Sequence, residues 1–419
     1  MMHTNHSSSD QSDTTDTARI ARAEASVHVF TELMPDAFEQ SAGRDGPLKD
    51  KVLSVKDLFD LTGKITRAGS PILEETRPAS KDAIAVERLR AAGARLIGRT
   101  TMTELAYSGL GLNPHDGTPD NPLFPNHIPG GSTSGGAVSI ATNLADIALG
   151  SDTGGSLRIP AAFCGLVGFK PTQSSVPLTG AIPLSDSLDS VGPIARDVAT
   201  CAAAWQVMAG LPVTDLPQKR PELVVPINFG LTDLDPAVAS SFSALREELI
   251  AAGWKIREAS LPVLDTYGTL PVWQFSAFES LRRFKDKLVT HGSKMDPRVR
   301  QRMERGTEIS EAEFASTLTQ RAELIAAFRT EIGDALVLLP TVAIKPPHFD
   351  DVATDEGFSR LNLLALRNTS LANVMDGCSV SLPFGQGDAL IGAMLTSFNG
   401  QDEVVLSAAL AMESDLAND

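Results

Sequence analysis

Pro129-Gly130-Gly131-Ser132-Thr133-Ser134-Gly135-Gly136, then Ala148-Leu149-Gly150-Ser151-Asp152-Thr153-Gly154-Gly155-Ser156-Leu157-Arg158-Ile159-Pro160-Ala161, is the stretch that decides how this chain reads. Ten of the 33 glycines fall between Gly130 and Gly180. Glycine admits positive φ and close backbone approach, so such a cluster predicts main-chain N–H groups presented to a ligand. Within the stretch, a helix pattern near Ala137 to Asn143 leads to a strand pattern at Asp146-Ile147-Ala148-Leu149, and a further strand follows near Leu166 to Phe169. Working outward, Val52-Leu53-Ser54-Val55 reads as a short strand whose run stops at Lys56-Asp57, placing Lys56 at a strand end. Asp82 can cap a helix with Ala83, Val86, Leu89 and Ala92 at three-residue steps, closed by Gly93, and Arg95-Leu96-Ile97-Gly98 reads as the next strand. This alternation predicts a mixed or parallel sheet covered by helices.

Further along, Asp235-Pro236 predicts the cap of a helix with Val238, Phe242, Leu245 and Leu249 on one face and Gly253 at its end. Ser310 and Glu313 have capping-box spacing and open a second long helix. The charged and aromatic segment from about Leu261 to Gly306 lacks a strand signal and reads as a helical elaboration. Ala335 to Leu339 reads as a buried strand, and Glu403 to Met412 as a closing helix. Residues 1 to 26, rich in Ser, Thr, Asp and His, lack the features of a secretory signal and are expected to be a disordered tail.

Composition narrows the chemistry. Lys and Arg total 36 against 52 Asp and Glu, and a formal charge of −16 disfavours a nucleic-acid partner. Cys164, Cys201 and Cys378 are odd in number, far apart and form no C-x-x-C pair, which suggests a cytoplasmic protein without disulfides or a zinc knuckle. Seven scattered histidines include no H-E-x-x-H pair, so no metal is expected. The longest apolar run, Ala335 to Ile344, is broken by Pro340 and falls short of the roughly 20 residues of a membrane span.

The glycine stretch also excludes two chemistries. Gly131 to Gly136 has the first spacing of a phosphate loop, but Ala137-Val138 follows where Lys-Ser/Thr is needed. Neither glycine turn closes as G-x-S-x-G, the hydrolase elbow. Two serines in glycine turns remain, Ser132 and Ser156, with Lys56 upstream. A lysine amine kept neutral by burial can serve as the base that a serine nucleophile needs. The turn Asp152-Thr153-Gly154-Gly155 could aim successive N–H groups at a tetrahedral oxyanion. Taken singly, each residue has a plainer reading: a lysine after a strand is usually solvated, and a serine beside glycine usually belongs to a turn. Asp152 reads better as an orienter of its turn than as an acid, Arg158 as structural, and Cys164, in an apolar stretch, as an inert buried thiol. His115, His127, Met102 and Phe124 fit either a pocket wall or ordinary packing.

Taken together, these segments closely resemble the amidase signature family. The resemblance also covers Cys164-Gly165-Leu166-Val167-Gly168-Phe169-Lys170-Pro171-Thr172, Val55-Lys56-Asp57, Met102-Thr103-Glu104-Leu105-Ala106, Gly117-Thr118-Pro119-Asp120-Asn121-Pro122 and Leu188-Asp189-Ser190-Val191-Gly192-Pro193. It is strong over about residues 46 to 210. It implies an α/β/α layered single domain around a large twisted mixed β-sheet, spanning 27 to 419, with the elaboration at about 230 to 330 and a C-terminal return to the core at about 331 to 419. It further implies that Ser156 is the acylated nucleophile, Ser132 a serine held by a cis peptide, and Lys56 the base. Thr153, Gly154 and Gly155 would supply the oxyanion hole, and Gly131 a backbone contact to substrate. The sequence departs from the family in having Thr133 where many members have serine, and Gly136 where many have serine or alanine.

The implied activity is hydrolysis of a carboxylic amide without cofactor, with a small-molecule amide as partner and a homodimer left open. Residues 102 to 122 resemble small-molecule amidases, including those acting on aryl- or indole-acetamides, so a compact monoamide or arylamide is expected, with ester cleavage as a side activity. The alternatives are a glutaminase-type subunit of an amidotransferase, which would need a partner subunit, and a catalytically silent binding homologue.

Overall fold

The computed structural model describes residues 16–417. Eleven strands form one sheet: β1 Phe30–Leu33, β2 Val52–Lys56, β3 Arg95–Thr100, β4 Ile147–Asp152, β5 Val167–Lys170, β6 Ser190–Ala195, β7 Leu223–Pro226, β8 Ile256–Ala259, β9 Leu336–Pro340, β10 Cys378–Phe384 and β11 Ile391–Ser397. Their order across the sheet is β1-β3-β2-β4-β6-β5-β10-β11-β9-β7-β8. The pairs β3/β2, β2/β4, β9/β7 and β7/β8 are parallel. The β4/β6, β6/β5, β5/β10, β10/β11 and β11/β9 pairs are antiparallel, so the sheet is mixed.

Both faces are covered, and strand alternation shows it. Leu53 and Val55 of β2 and Ile147 and Leu149 of β4 join one hydrophobic cluster, which includes residues of helices Ile84–Ala91, Val198–Ala209, Pro236–Ala251 and Asp402–Leu416. Val52 and Ala148, one residue out of step, join another, shared with helices Ser134–Ala141 and Arg158–Phe163. At the other end of the sheet, Val337 and Leu339 of β9 pack with residues of helices Pro262–Tyr267, Trp273–His291 and Glu311–Ile332. The result is the expected α/β/α arrangement.

Local signals account for several elements. Asp235 accepts a hydrogen bond from Ala237 N at 2.8 Å and Pro236 opens its helix. The capping box is formed by Ser310 Oγ with Glu313 N at 3.2 Å and Glu313 Oε2 with Ser310 N at 2.8 Å. The segment 261–306 is helical, as expected, and Pro297–Glu304 is its last α-helix.

Two expectations are corrected. Asp16–Ala25 is a helix, so the tail reading fails over those residues, and its remainder, residues 1–15, lies outside the described residues. The helix is held because Asp16 accepts a paired hydrogen bond from Arg95 at 3.0 and 2.7 Å and Ala23 is buried. Asp82 does not cap the helix at Ile84. Its carboxylate accepts from Thr62 N and Oγ1 at 2.8 and 2.7 Å instead, because the two loops meet there.

Candidate active site

Strand parity sets the direction of Lys56. It lies two residues beyond Ser54, whose Oγ is 2.9 Å from Ser139 Oγ on helix Ser134–Ala141, so both side chains face that helix. Ser132 stands in the turn that enters the same helix, and the Gly131–Ser132 peptide is cis. Lys56 Nζ lies 2.7 Å from Ser132 Oγ, 3.0 Å from Ser151 Oγ and 3.4 Å from Ser151 O. Lys56 is fully buried, and burial lowers its pKa to about 7 against the opposing pull of Asp189 and Asp152. Two ammonia-like N–H bonds can be donated to Ser151, which leaves the lone pair of a neutral amine for the Ser132 hydroxyl.

Beyond β4 the chain turns through Thr153-Gly154-Gly155 into Ser156, and one buried carboxylate organises this loop. Asp152 accepts hydrogen bonds from Gly155 N at 2.7 Å, Leu157 N at 3.1 Å, Arg158 Nε and Nη2 at 3.0 and 2.8 Å, and Asn373 Nδ2 at 3.0 Å. Burial alone would raise its pKa, but Arg158 outweighs that and holds the carboxyl at about 2. Asp152 is therefore an orienter and stays ionised. On the other side, Thr369 Oγ1 and Ser370 Oγ donate to Gly154 O at 2.5 and 3.3 Å. Gly155 sits at φ +138°, and a Cβ there would lie 2.2 Å from Thr369 Oγ1, so this position excludes a side chain.

These bonds sort the expected oxyanion donors. Gly155 is corrected here: its N–H is already donated to Asp152. The N–H groups of Thr153, Gly154 and Ser156 donate to no acceptor among the described residues. Thr153 is fixed through its side chain, Oγ1 donating to Asp189 Oδ1 at 2.5 Å. Asp189 is buried, and burial raises its pKa to about 6.

Thr153, Gly154 and Ser156 line a cavity of about 730 Å³, whereas Lys56, Ser132, Gly131 and Gly155 do not reach its wall. The Ser156 hydroxyl makes no hydrogen bond to the described residues and faces this space. Gly131, expected as a backbone contact to substrate, instead donates its N–H to Gly109 O at 2.8 Å. The cavity wall is mostly apolar and aromatic, with Leu184, Leu188, Phe229, Tyr267 and Trp273 prominent. His115 and His127 do not line it; the former contacts Glu104 and the latter packs against His348. Met102 is core and Phe124 lies outside the cavity. Cys164 is buried, and burial pushes its thiol pKa up, as befits an inert thiol.

Sequence reading missed Ser151, Asn373, Thr369 and Ser370. Ser151 was within the quoted stretch, but only the fold brings its hydroxyl to Lys56. The other three come from a segment more than 200 residues downstream with no recognisable motif. Among the described residues, no group of three or more His, Cys, Asp and Glu is placed to hold a metal ion. No helix there is long and apolar enough to cross a membrane.

Comparison with known proteins gives the family. The family model for the amidases matches residues 17–406. The 2-amino-5-chloromuconic acid deaminase of Comamonas testosteroni is 34% identical over 82% of this chain and 76% of its own length. The indoleacetamide hydrolase of Pseudomonas savastanoi is 30% identical over 95% and 90%, respectively. A crystal structure of an amidase superposes with a TM-score of 0.85 at 29% identity, covering 95% of this chain and 94% of that one. The chain belongs to the amidase signature family and is a hydrolase acting on the carbon–nitrogen bonds of amides.

Proposed function

We propose that this protein hydrolyses a small or aryl carboxylic amide to the acid plus ammonia or amine through an acyl-enzyme on Ser156. The observation that carries this reading is the 2.7 Å contact of the fully buried Lys56 amine with Ser132, in a chain whose Ser156 lines the cavity with its hydroxyl unpaired among the described residues. Neutral Lys56 takes the Ser132 proton while Ser132 takes that of Ser156, whose oxygen attacks the amide carbon. Negative charge develops on the former carbonyl oxygen, within reach of N–H donors from Thr153 and Gly154. Removing one such donor typically costs about 10²–10³ in rate. The C–N bond breaks as the relay returns the proton to the leaving nitrogen. Water then enters, gives its proton to the same relay and releases the acid, which restores Ser156.

Mass spectrometry after incubation with candidate amides tests this. The expected result is a mass increment equal to the acyl group less the hydrogen it replaces, on the peptide holding Ser156. Ser156→Ala should fold normally and lose at least about a thousandfold in kcat. Unimpaired turnover by that variant would remove Ser156 from the nucleophile role.

A further inference from the structure

The wall of the same cavity that lies away from the glycine turn has a charge pattern that amide hydrolysis does not require. Its lining includes Arg302, Arg305 and Arg367 but a single carboxylate, Asp233, in a chain whose net charge is −16. Arg367 is committed to main-chain oxygens, donating to Thr232 O at 2.6 Å and Gly230 O at 3.2 Å. Arg302 and Arg305 differ. On the helix Pro297–Glu304 that carries Arg302, Arg298 pairs with Asp355 at 2.8 Å and Arg300 with Glu304 at 2.7 Å, so the arginines outside the cavity lining have carboxylate partners. Neither cavity arginine has one among the described residues. Arg302 spends one N–H on Tyr107 O at 2.5 Å and lies over the Phe358 ring at 4.8 Å. Arg305 lies over Trp273, its Cζ 3.8 Å from the ring centroid, with no hydrogen bond to the described residues. Stacking on an aromatic ring holds a guanidinium plane in place while its edge stays open for a bidentate anion. Arg302 is half-buried and Arg305 is exposed; for Arg302, a half-buried guanidinium without a counter-charge is costly unless a ligand supplies that charge.

We propose that the cavity selects amides bearing a carboxylate at the end remote from the scissile bond, with Arg302 and Arg305 as its receptor and the apolar wall holding the body between. The inference rests on the hydrolase reading for the scissile end only. Arg305 is the principal specificity-determining residue, because its guanidinium is not shared with any acceptor among the described residues. Arg302, anchored through Tyr107, fixes the depth at which the carboxylate seats.

The test separates binding from turnover by using Ser156→Ala protein and two matched probes, 4-(carbamoylmethyl)benzoate and 4-methylphenylacetamide. Calorimetric titration should give at least tenfold tighter binding of the carboxylate probe. Adding Arg305→Gln should shrink that ratio towards one, and Arg305→Glu should invert it. Arg302→Lys, which keeps the charge but loses the planar fork, should fall between. Circular dichroism and melting of each variant confirm that the fold is retained. Equal affinity of the two probes, or a ratio insensitive to Arg305, would overturn the proposal even with hydrolysis intact. Discriminating binding by Ser156→Ala protein, with no turnover of either probe by the unsubstituted enzyme, would uphold the receptor and count against the hydrolase reading of the scissile end.

Discussion

Lys56 shows what a single side chain does when the fold removes it from water. Desolvation brings its pKa to about 7, so the neutral amine that the proposed relay needs is populated around neutrality. kcat/KM is expected to rise with pH through one ionisation near 7 and then level; a profile without that limb, with chemistry rate-limiting, would exclude Lys56 as base. Stability carries the same signature. Because the folded pKa lies below the ordinary value of about 10.4, the unfolded chain binds the extra proton between about pH 7 and 10, and wild-type stability declines as pH falls through that window. Lys56→Met lacks this contribution. Its melting temperature relative to wild type should therefore increase from pH 10 down to pH 7 and be steady below, measured by calorimetry across that range. Lys56 was visible in the sequence as a strand-end lysine upstream of a serine and glycine stretch. Its neighbour Ser151, which holds the amine in line, was not singled out, since nothing in a one-dimensional reading tells which of many serines a buried amine will meet.

Among the elements, the loop after β4 depends on a triangle of Asp152, Arg158 and Asn373. Arg158 is fully buried, pairs with Asp152 on two nitrogens and reaches Thr369 O at 2.9 Å and Asn373 Oδ1 at 2.8 Å. Arg158→Ala would strand a buried carboxylate, and about 3–5 kcal/mol of stability should be lost in urea titration. The N-terminal helix offers a gentler test. Deleting residues 1–26 uncovers Arg95 and the apolar cluster on which Ala23 packs, so the melting temperature should drop by several degrees, whereas a mere tail could be removed without effect. Several strands were illegible for identifiable reasons. β6 contains Gly192 and Pro193 and reads as a turn, yet Gly192 is there because a Cβ would lie 2.3 Å from Phe169 O of the neighbouring strand. β10 carries a proline near its end and polar serines at alternate positions. One of these, Ser379, bonds to Thr396 Oγ1 at 2.8 Å inside the sheet, which composition alone disguises.

At the scale of the molecule, the eleven strands are continuous from β1 to β8, and β10 of the C-terminal segment is inserted beside β5 of the glycine-rich segment. No sheet edge separates the two halves there, so a calorimetric scan should show one main transition rather than two resolved ones. The cavity reflects the same joining. Its lining includes Thr153, Gly154 and Ser156 from the glycine turn, Leu184 and Leu188, residues between 229 and 277, and Arg302 and Arg305 at its cationic end.

What the sequence by itself determined was the layered fold class, the helices capped at Asp235 and Ser310, and the glycine turns that hold the candidate serines, because glycine turns, strand parity and caps are local signals that survive being read in one dimension. What only the tertiary structure decided was which N–H groups remain free for an oxyanion, which serine steadies Lys56, and which arginines stand without a counter-charge. Those are matters of pairing between segments up to about two hundred residues apart. A hydrogen bond or ion pair is defined by two partners in space, and the chain order of either one does not specify the other.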